Sequence, residues 1–331
     1  MKVLLTHTPT MRASYYGEGP LAALHEIAEV RLHESEAVLE GEAFVRAAEG
    51  CDIVLTDRLT TGPAAFFDAA PDPVAFLRCA VDVRNIDIDA ASRAGILVTR
   101  ATPGFVTSVA ELTVGFMLDL ARGAPDYVAA YRAGSEPAGR MGRQLEGSTL
   151  GIIGYGVIGE RLAALGLAFG MTILVTDPYK TIDAPGLTQV SFETLLADSD
   201  FVVCLAVATE ETENLMNAAA FARMRPSAFF INVSRGNLVD EAALAAALDR
   251  RAIAGAALDV GRAPDQKPSL ALAARPDVMA APHVGGLTPS AIAHQAYDTV
   301  EQVRALVEGR LPDGALNTAA ATRLARIGIK T

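Results

Sequence analysis

The sequence predicts an α/β protein with two doubly wound parallel sheets, and three observations lead to this fold class. Residues 1–100 alternate short apolar runs with helical stretches. A second alternating system begins at Thr149 and contains six further strand-like runs. A Gly-x-Gly-x-x-Gly turn, residues 154–159, follows the first of these six runs. Alternating strands and helices favour a parallel sheet covered by helices, once in each part of the chain.

The first hundred residues contain short apolar runs of the kind that form buried parallel strands. Helices are predicted near residues 20–27, 41–48 and 89–94, and residues 8–16 are interpreted as a loop after the first strand. The predicted strands are residues 2–5, 28–32, 53–55, 75–79 and 96–98.

The dipeptide Pro103-Gly104 interrupts this alternation. Ser108 and Glu111 follow with the Ser-x-x-Glu spacing of a capping box, which predicts that a long apolar helix begins there and runs to about Arg122.

The second alternating system has the strand count of a Rossmann domain. Its predicted strands are residues 150–153, 172–176, 201–206, 229–233, 255–260 and 278–281, which match two mononucleotide-binding halves. A last long helix is predicted from Pro289.

The position of the second system predicts the domain organisation. About 150 residues precede the glycine turn, so a Rossmann NAD-binding domain, residues 102–288, is inserted into a flavodoxin-like substrate domain, residues 1–101 and 289–331. The chain would cross from one domain to the other twice, and these crossings would form a hinge. Ligands prefer the cleft between such domains, at the carboxyl ends of the strands.

The glycine turn predicts a dinucleotide site. Gly154 permits the tight turn, Gly156 lets the backbone approach a pyrophosphate, and Gly159 lets helix and strand pack closely. The following helix, which starts near Val157, directs its free N–H groups at the phosphates. Asp177 ends the next strand, where a carboxylate binds ribose hydroxyls and repels a 2′-phosphate, so NAD is favoured over NADP. A lone turn of this kind is often structural, but strand, helix, second strand and acid are all in register here.

The composition excludes several other classes of protein. The 331 residues are 51% hydrophobic, enough for a large core, and the formal net charge of −11 argues against nucleic acid as a partner. No apolar run is long enough for a membrane helix, and the start resembles a strand rather than a signal peptide. The three cysteines have no Cys-x-x-Cys spacing, and no cluster of His, Cys and acids predicts a metal site. We therefore expect a cytoplasmic protein without a metal.

Three ionisable residues lie at the ends of the last three predicted strands. Arg235 follows the fourth strand, Asp259 lies in the fifth, and His283 follows the sixth. Each one alone could be structural: an arginine at a helix end, an acid in a turn, or a histidine satisfied in a loop. Together, beside a dinucleotide site, they predict a catalytic centre.

The chain resembles the D-isomer-specific 2-hydroxyacid dehydrogenase family, which includes phosphoglycerate, glyoxylate and formate dehydrogenases. The matching stretches run in family order from about residue 75 to residue 305. They are residues 85–91 with 95–98, 103–111, the glycine turn, 232–240, 258–260 and 282–283.

The resemblance implies roles for the strand-end residues. Arg235 would bind the substrate carboxylate and polarise the C2 carbonyl, which suits a planar fork of donors. His283 would be the general acid in reduction and the base in oxidation. Asp259 would face the nicotinamide carboxamide. The predicted cofactor-binding residues are Gly154, Gly156, Val157, Ile158, Gly159, Asp177, Pro178, Val207, Thr212, Val233, Ser234, Asp259, Gly285 and Gly286.

One departure from the family concerns the partner of His283. Family members carry a Glu that hydrogen-bonds the catalytic His, but its position here holds Pro264. Asp265 is one place later and is the predicted catalytic partner. Gln266, as in the formate-specific branch, or no partner at all remain alternatives.

A second departure lies in the loop whose backbone N–H groups receive the substrate carboxylate in the family. Ala80, Val81 and Asp82 occupy this predicted substrate-binding loop, and two of them replace family glycines. Asp82 would repel an anionic substrate unless it is paired, and Arg84 is the candidate partner. The two are either a structural pair that faces away from the site, or Asp82 meets a cationic or hydroxyl group of the substrate.

The predicted function is that of an NAD-dependent D-2-hydroxyacid dehydrogenase acting on a small 2-hydroxy or 2-oxo acid. We expect a homodimer formed through the NAD domain, with neither nucleic acid nor membrane as a partner. Two alternatives are an NAD-sensing binding protein with weak or no catalysis, and a formate-type dehydrogenase.

Overall fold

The computed structural model describes residues 1–329. The chain divides into two compact units. Met1–Gly104 and Pro289–Thr331 form what we call the outer unit, and Phe105–Thr288 form the inserted unit. No helix within the described residues is both long enough and apolar enough to cross a membrane.

The outer unit contains a five-stranded parallel sheet. Its strands are β1 (Lys2–Leu5), β2 (Glu29–Leu32), β3 (Ile53–Thr56), β4 (Ala75–Arg78) and β5 (Leu97–Arg100), in the order β2-β1-β3-β4-β5. This is the strand order of flavodoxin-like folds, so the predicted fold class is confirmed. Its helices are α1 (Pro9–Tyr15), α2 (Glu18–Ile27), α3 (Gly41–Ala48), α4 (Ala64–Ala69), α5 (Ile88–Arg93) and α13 (Pro289–Val307).

One prediction for the outer unit was wrong, because residues 9–15 form helix α1 rather than a loop. The Thr8 hydroxyl accepts the Met11 N–H at 3.2 Å, and Pro9 occupies the first helical position. A threonine cap followed by proline is a helix start. The helix has no buried residue, so it lacks the apolar periodicity that predicts longer helices.

The inserted unit contains a seven-stranded parallel sheet in the order β12-β11-β10-β9-β6-β7-β8. Six strands were predicted, and the additional one is β8, a three-residue edge strand with a single apolar side chain. The strands are β6 (Thr149–Ile153), β7 (Thr172–Thr176), β8 (Leu187–Gln189), β9 (Phe201–Cys204), β10 (Phe229–Asn232), β11 (Gly255–Leu258) and β12 (Val278–Ala280). The helices are α6 (Val106–Arg122), α7 (Ala124–Arg132), α8 (Val157–Ala168), α9 (Phe192–Asp198), α10 (Ala218–Arg223), α11 (Glu241–Asp249) and α12 (Leu270–Ala273).

Helix α6 begins two residues before the predicted capping box. The cap position is Phe105, which makes no side-chain cap bond, and Ser108 lies inside the first turn. The Ser108 hydroxyl lies 2.7 Å from the Thr288 hydroxyl, so it serves a tertiary contact instead of a helix cap. The buried face of α6 repeats every three or four residues, as at Val109, Thr113 and Phe116, and lies in one core with β6 and α8.

Candidate functional site

The three glycines of the turn after β6 differ in what a side chain there would contact. Gly154 has φ of +93°, and a Cβ there would lie 2.7 Å from the Ala206 nitrogen. A Cβ on Gly159 would lie 2.6 Å from the Gly154 carbonyl oxygen. A Cβ on Gly156 would meet no atom within 4 Å, so the protein itself does not require a glycine there. That open space at the start of α8, where the first-turn N–H groups point outward, fits a bound pyrophosphate.

Asp177 lies directly after β7 and is bonded to the glycine turn. Its Oδ2 accepts the Tyr155 N–H at 2.8 Å, and its Oδ1 accepts the Tyr179 N–H at 2.9 Å. Each carboxylate oxygen keeps a further lone pair that could accept a ribose hydroxyl. Pro178 is exposed beside it. These residues therefore fit the adenosine half of NAD.

The segment after β9 was predicted to contact the cofactor through Val207 and Thr212. The Val207 side chain is 76% exposed, as expected for a residue that covers a ligand. The Thr212 hydroxyl donates to the Val207 carbonyl at 2.7 Å and accepts the Thr209 N–H at 2.8 Å. Thr212 therefore fixes the shape of this loop.

The turn after β10 positions Arg235. The Ser234 hydroxyl donates to the Ala206 carbonyl at 2.7 Å, and the Asn232 amide donates to the Arg235 carbonyl at 2.9 Å. Val233 is buried beneath the turn. The Arg235 Nη1 atom donates to the Ser234 carbonyl at 2.8 Å. Asn232 is a positioning residue that was not predicted, although a buried amide at the end of an apolar strand signals such a role.

Asp259 is 2% exposed and holds the segment that carries His283. Its two carboxylate oxygens accept the N–H groups of Val284 and Gly285, each at 2.8 Å. The His283 N–H donates to the Asp259 carbonyl at 2.9 Å. Asp259 was predicted to face the nicotinamide, and these contacts make it a positioning residue for His283 as well. A Cβ on Gly285 would lie 2.8 Å from the carboxylate, and one on Gly286 would lie 3.1 Å from the Phe105 Cβ.

His283 has Asp265 as its partner, but through a main-chain atom. The His283 Nδ1 atom lies 2.9 Å from the Asp265 carbonyl oxygen. The role of Asp265 as catalytic partner stays a prediction, and the contact seen here is made by its main-chain carbonyl. Asp265 and Gln266 have φ of +61° and +58°, a left-handed pair that brings the carbonyl to the imidazole. The Gln266 side-chain oxygen instead approaches the Gly236 N–H at 3.4 Å.

The predicted substrate-binding loop follows β4 in the outer unit. Asp82 is paired with Arg84, whose Nη2 donates to the carboxylate at 2.6 Å and whose Nε lies 3.0 Å from both oxygens. Pairing of Asp82, one of the possibilities open at the level of sequence, is thus present. Ala80 and Val81 are partly exposed, and the Ala80 carbonyl accepts the Ala101 N–H at 3.0 Å.

Arg78, which was not predicted, ends β4 and connects the start of this loop to Asn85 behind it. It is completely buried, and its Nη2 donates to the Asn85 side chain at 2.8 Å and to the Thr60 carbonyl at 3.0 Å, while Nη1 donates to the Asp57 carbonyl. Burial lowers its pKa to about 10. A charged residue at the end of an apolar strand is the sequence signal for such a role. Nearby His7 is also buried, which lowers its pKa to about 4.

Comparison with known proteins identifies the family. Residues 114–285 match the family model described as D-isomer specific 2-hydroxyacid dehydrogenase, NAD binding domain. A D-3-phosphoglycerate dehydrogenase of Synechocystis is 36% identical over 244 residues, covering 72% of this chain and 44% of that protein. A glyoxylate reductase of Korarchaeum cryptofilum is 32% identical over 311 residues, covering 91% of this chain and 93% of that protein. The chain spans about half the length of the phosphoglycerate dehydrogenases that it matches.

Solved structures show the same relationship. The structure of D-lactate dehydrogenase with NAD⁺ from Lactobacillus jensenii has a TM-score of 0.83 and 26% sequence identity, covering 96% of this chain and 99% of that chain. This chain therefore belongs to the D-isomer specific 2-hydroxyacid dehydrogenase family, and residues 114–285 form its NAD-binding domain.

Proposed function

We propose that the protein interconverts a D-2-hydroxy acid and its 2-oxo acid, with NAD as the hydride carrier. The observation that carries this proposal is the orientation of His283. Its Nδ1 is engaged by a carbonyl oxygen, and its backbone is held by Asp259. Because a carbonyl can only accept a hydrogen bond, Nδ1 carries the proton and Nε2 is the nitrogen that meets the substrate.

The proton and the hydride take separate routes in this reaction. In the direction of reduction, C2 of the oxo acid receives a hydride, which NADH supplies when bound. The carbonyl oxygen receives the proton of the His283 Nε2, and the imidazole becomes neutral with its Nδ1 proton still donated to Asp265. Oxidation reverses both transfers, so His283 then accepts the hydroxyl proton.

Arg235 is proposed to bind the substrate carboxylate. A guanidinium matches a carboxylate with two parallel hydrogen bonds and also withdraws electrons from the adjacent carbonyl. Arg235 follows β10. The side-chain hydrogen bonds of Asn232 and Ser234 fix the turn that contains it, and this holds the backbone of Arg235 in place.

We further propose that residues 1–101 and 289–331 act as the substrate domain, with Ala80, Val81 and Asp82 contacting the substrate, and residues 102–288 as the NAD domain. Backbone N–H groups of the loop would receive the carboxylate. The ion pair between Asp82 and Arg84 supports this role because it compensates a charge that would otherwise repel an anion.

The test is NADH oxidation with a panel of 2-oxo acids: glyoxylate, hydroxypyruvate, phenylpyruvate and 2-oxoglutarate. Turnover of at least one of them, lost in Arg235→Gln and retained in the control variant Arg93→Gln, supports the proposal. Arg93 is an exposed residue of α5. Tight NADH binding without turnover of any oxo acid would instead identify an NAD-sensing binding protein, which the replacement of the family Glu by Pro264 favours. NADH formation from formate and NAD would identify the formate-type reaction.

We also propose a cytoplasmic homodimer assembled through the inserted unit. Helix α7 has no buried residue, and Tyr131 and Met141 are 63% and 99% exposed. A cavity of about 530 Å³ in the same unit is lined by apolar and polar side chains, namely Leu118, Leu145, Leu167 and Phe169 with Arg122, Arg143, Gln144 and Glu146. Such apolar exposure suits a symmetric contact with a second copy. Sedimentation should show a dimer that Met141→Asp weakens, and a monomer at all concentrations would refute it.

The three cysteines are buried thiols, which suits the reducing cytoplasm, and cell fractionation tests that location.

A further inference from the structure

A hydrogen bond between two side chains connects the loops on either side of the glycine turn. The Tyr179 hydroxyl donates to the Glu211 carboxylate at 3.0 Å. Tyr179 follows β7 and Glu211 follows β9, and these two strands flank β6 in the sheet. The glycine turn follows β6, so the bond joins the segments on its two sides. A link between those segments lies where a dinucleotide must enter.

One end of this link is anchored to the glycine turn itself. The Lys180 ammonium donates to the Tyr155 carbonyl at 2.7 Å, and the Asp177 carboxylate accepts the N–H groups of both Tyr155 and Tyr179. The residues after β7 therefore hold a fixed position relative to the turn. At the other end, the internal hydrogen bonds of Thr212 shape the loop that carries Glu211.

The contact between the two ends is exposed and rests on polar atoms. The Tyr179 side chain is 80% exposed, so the apolar core does not hold its ring. Glu211 is also exposed, and it raises the pKa of the Tyr179 phenol, which keeps the phenol protonated as a donor near neutral pH. An exposed hydrogen bond contributes little to folding and can open without unfolding its neighbours.

We propose that the Tyr179–Glu211 hydrogen bond is a strap across the adenosine side of the NAD site, which opens for the dinucleotide to enter and leave. The strap determines how long the cofactor stays bound. It acts on release and not on hydride transfer, because Tyr179 and Glu211 follow the two strands next to β6, whereas His283 follows β12 at the edge of the sheet. The proposal depends on NAD binding alone and does not require that a 2-oxo acid be turned over.

The test is the rate of NADH dissociation, measured by stopped-flow fluorescence after mixing with excess NAD. Tyr179→Phe and Glu211→Ala should each speed dissociation by about three- to tenfold, the effect of losing one exposed hydrogen bond to a charged acceptor. Glu210→Ala is the matched control, since it removes a neighbouring exposed carboxylate, and it should leave the rate unchanged.

The double variant distinguishes a shared bond from two separate effects. Tyr179→Phe combined with Glu211→Ala should release NADH no faster than the faster single variant, because both changes remove the same contact. Multiplied effects in the double variant, unchanged rates in the single variants, or an equal effect of Glu210→Ala would overturn the strap. A failure of the wild type to bind NADH would overturn it together with the cofactor assignment.

Discussion

The Nδ1 atom of His283 lies 2.9 Å from the main-chain carbonyl oxygen of Asp265. The backbone at residue 265 therefore sets the tautomer and orientation of the imidazole. His283 itself has φ of +60°, and its backbone N–H is held by the Asp259 carbonyl. Three left-handed residues without a glycine among them, at 265, 266 and 283, thus build this contact. Strained residues of this kind concentrate at functional sites.

The carbonyl partner predicts that the side chain at position 265 can be exchanged. Asp265→Asn should leave the pH dependence of kcat/KM in place, because the carbonyl remains. Asp265→Val should lower kcat by about tenfold or more, since a β-branched residue disfavours left-handed backbone by roughly 1–2 kcal/mol or more. Steady-state pH profiles of both variants check this. A shifted profile in Asp265→Asn would show that the carboxylate takes part after all.

Substitution by alanine should lower stability at Gly159 and NADH affinity at Gly156. Gly159→Ala places a Cβ 2.6 Å from the Gly154 carbonyl and should lower the free energy of unfolding by about 1–3 kcal/mol. Gly156→Ala meets no protein atom within 4 Å, so stability should change by less than about 1 kcal/mol while NADH binds about tenfold more weakly. Thermal melts and NADH titrations separate the effects. Full NADH affinity in Gly156→Ala would contradict the pyrophosphate position.

Asp259→Asn should disturb the segment that carries His283. An amide can accept from one of the two N–H groups of Val284 and Gly285, but its own NH₂ must then face the other. A buried donor left without an acceptor costs about 1–3 kcal/mol, and misplacement of His283 should lower kcat by about a hundredfold. Chemical denaturation and kcat measurements test this. Wild-type kcat in a stable Asp259→Asn protein would show that these contacts do not position the imidazole.

Arg78→Lys should affect the substrate loop without affecting the cofactor. Lysine keeps the charge but cannot bridge Thr60 and Asn85 with one planar group. We expect KM for the oxo acid to rise by about tenfold, the equivalent of one lost hydrogen bond to a charged group, with the NADH dissociation constant unchanged. Arg93→Lys, in the exposed part of the same unit, is the control. Equal loss of NADH and substrate affinity would indicate a general folding defect instead.

Stability should depend on pH through His7. Burial lowers its pKa from 6.5 to about 4, with Asp57 opposing this shift and Arg78 and Arg12 adding to it. Between these two pH values the unfolded chain binds a proton that the folded chain excludes, so the free energy of unfolding should fall as the pH drops through this window. The loss should be about 3 kcal/mol, and above pH 6.5 the contribution is fully present. Urea unfolding followed by circular dichroism should show a weaker pH dependence in His7→Gln. An equal slope in both proteins would reject this role.

The architecture could be predicted from sequence because its signals are periodic or depend on glycine geometry. The apolar runs correctly predicted strands in both sheets. Gly154 and Gly159 have the positions that a dinucleotide-binding glycine turn requires, since a Cβ at either residue would meet backbone atoms. Short elements without such signals were missed. Helix α1 has no fully buried residue, and strand β8 is held by pairing with β7 rather than by an apolar run of its own.

The main-chain contact between Asp265 and His283 could not be predicted, because sequence patterns describe side chains and this contact is made by a carbonyl. Asp265 and Gln266 adopt left-handed backbone although neither is a glycine, so the sequence contains no signal for this conformation. Arg78 was missed for a related reason. Arg78 lies inside the predicted strand 75–79, and its burial depends on acceptors that lie far away in the sequence, at Thr60 and Asp57.

The most direct test of the proposed mechanism is rapid mixing of NADH and a 2-oxo acid with the wild type and with His283→Gln. The wild type should oxidise NADH and form the D-2-hydroxy acid. The His283→Gln variant should bind NADH normally and reduce the oxo acid about a hundred- to ten-thousandfold more slowly, the usual contribution of a general acid. Equal rates in the two proteins, or an L-hydroxy acid as the product, would contradict it.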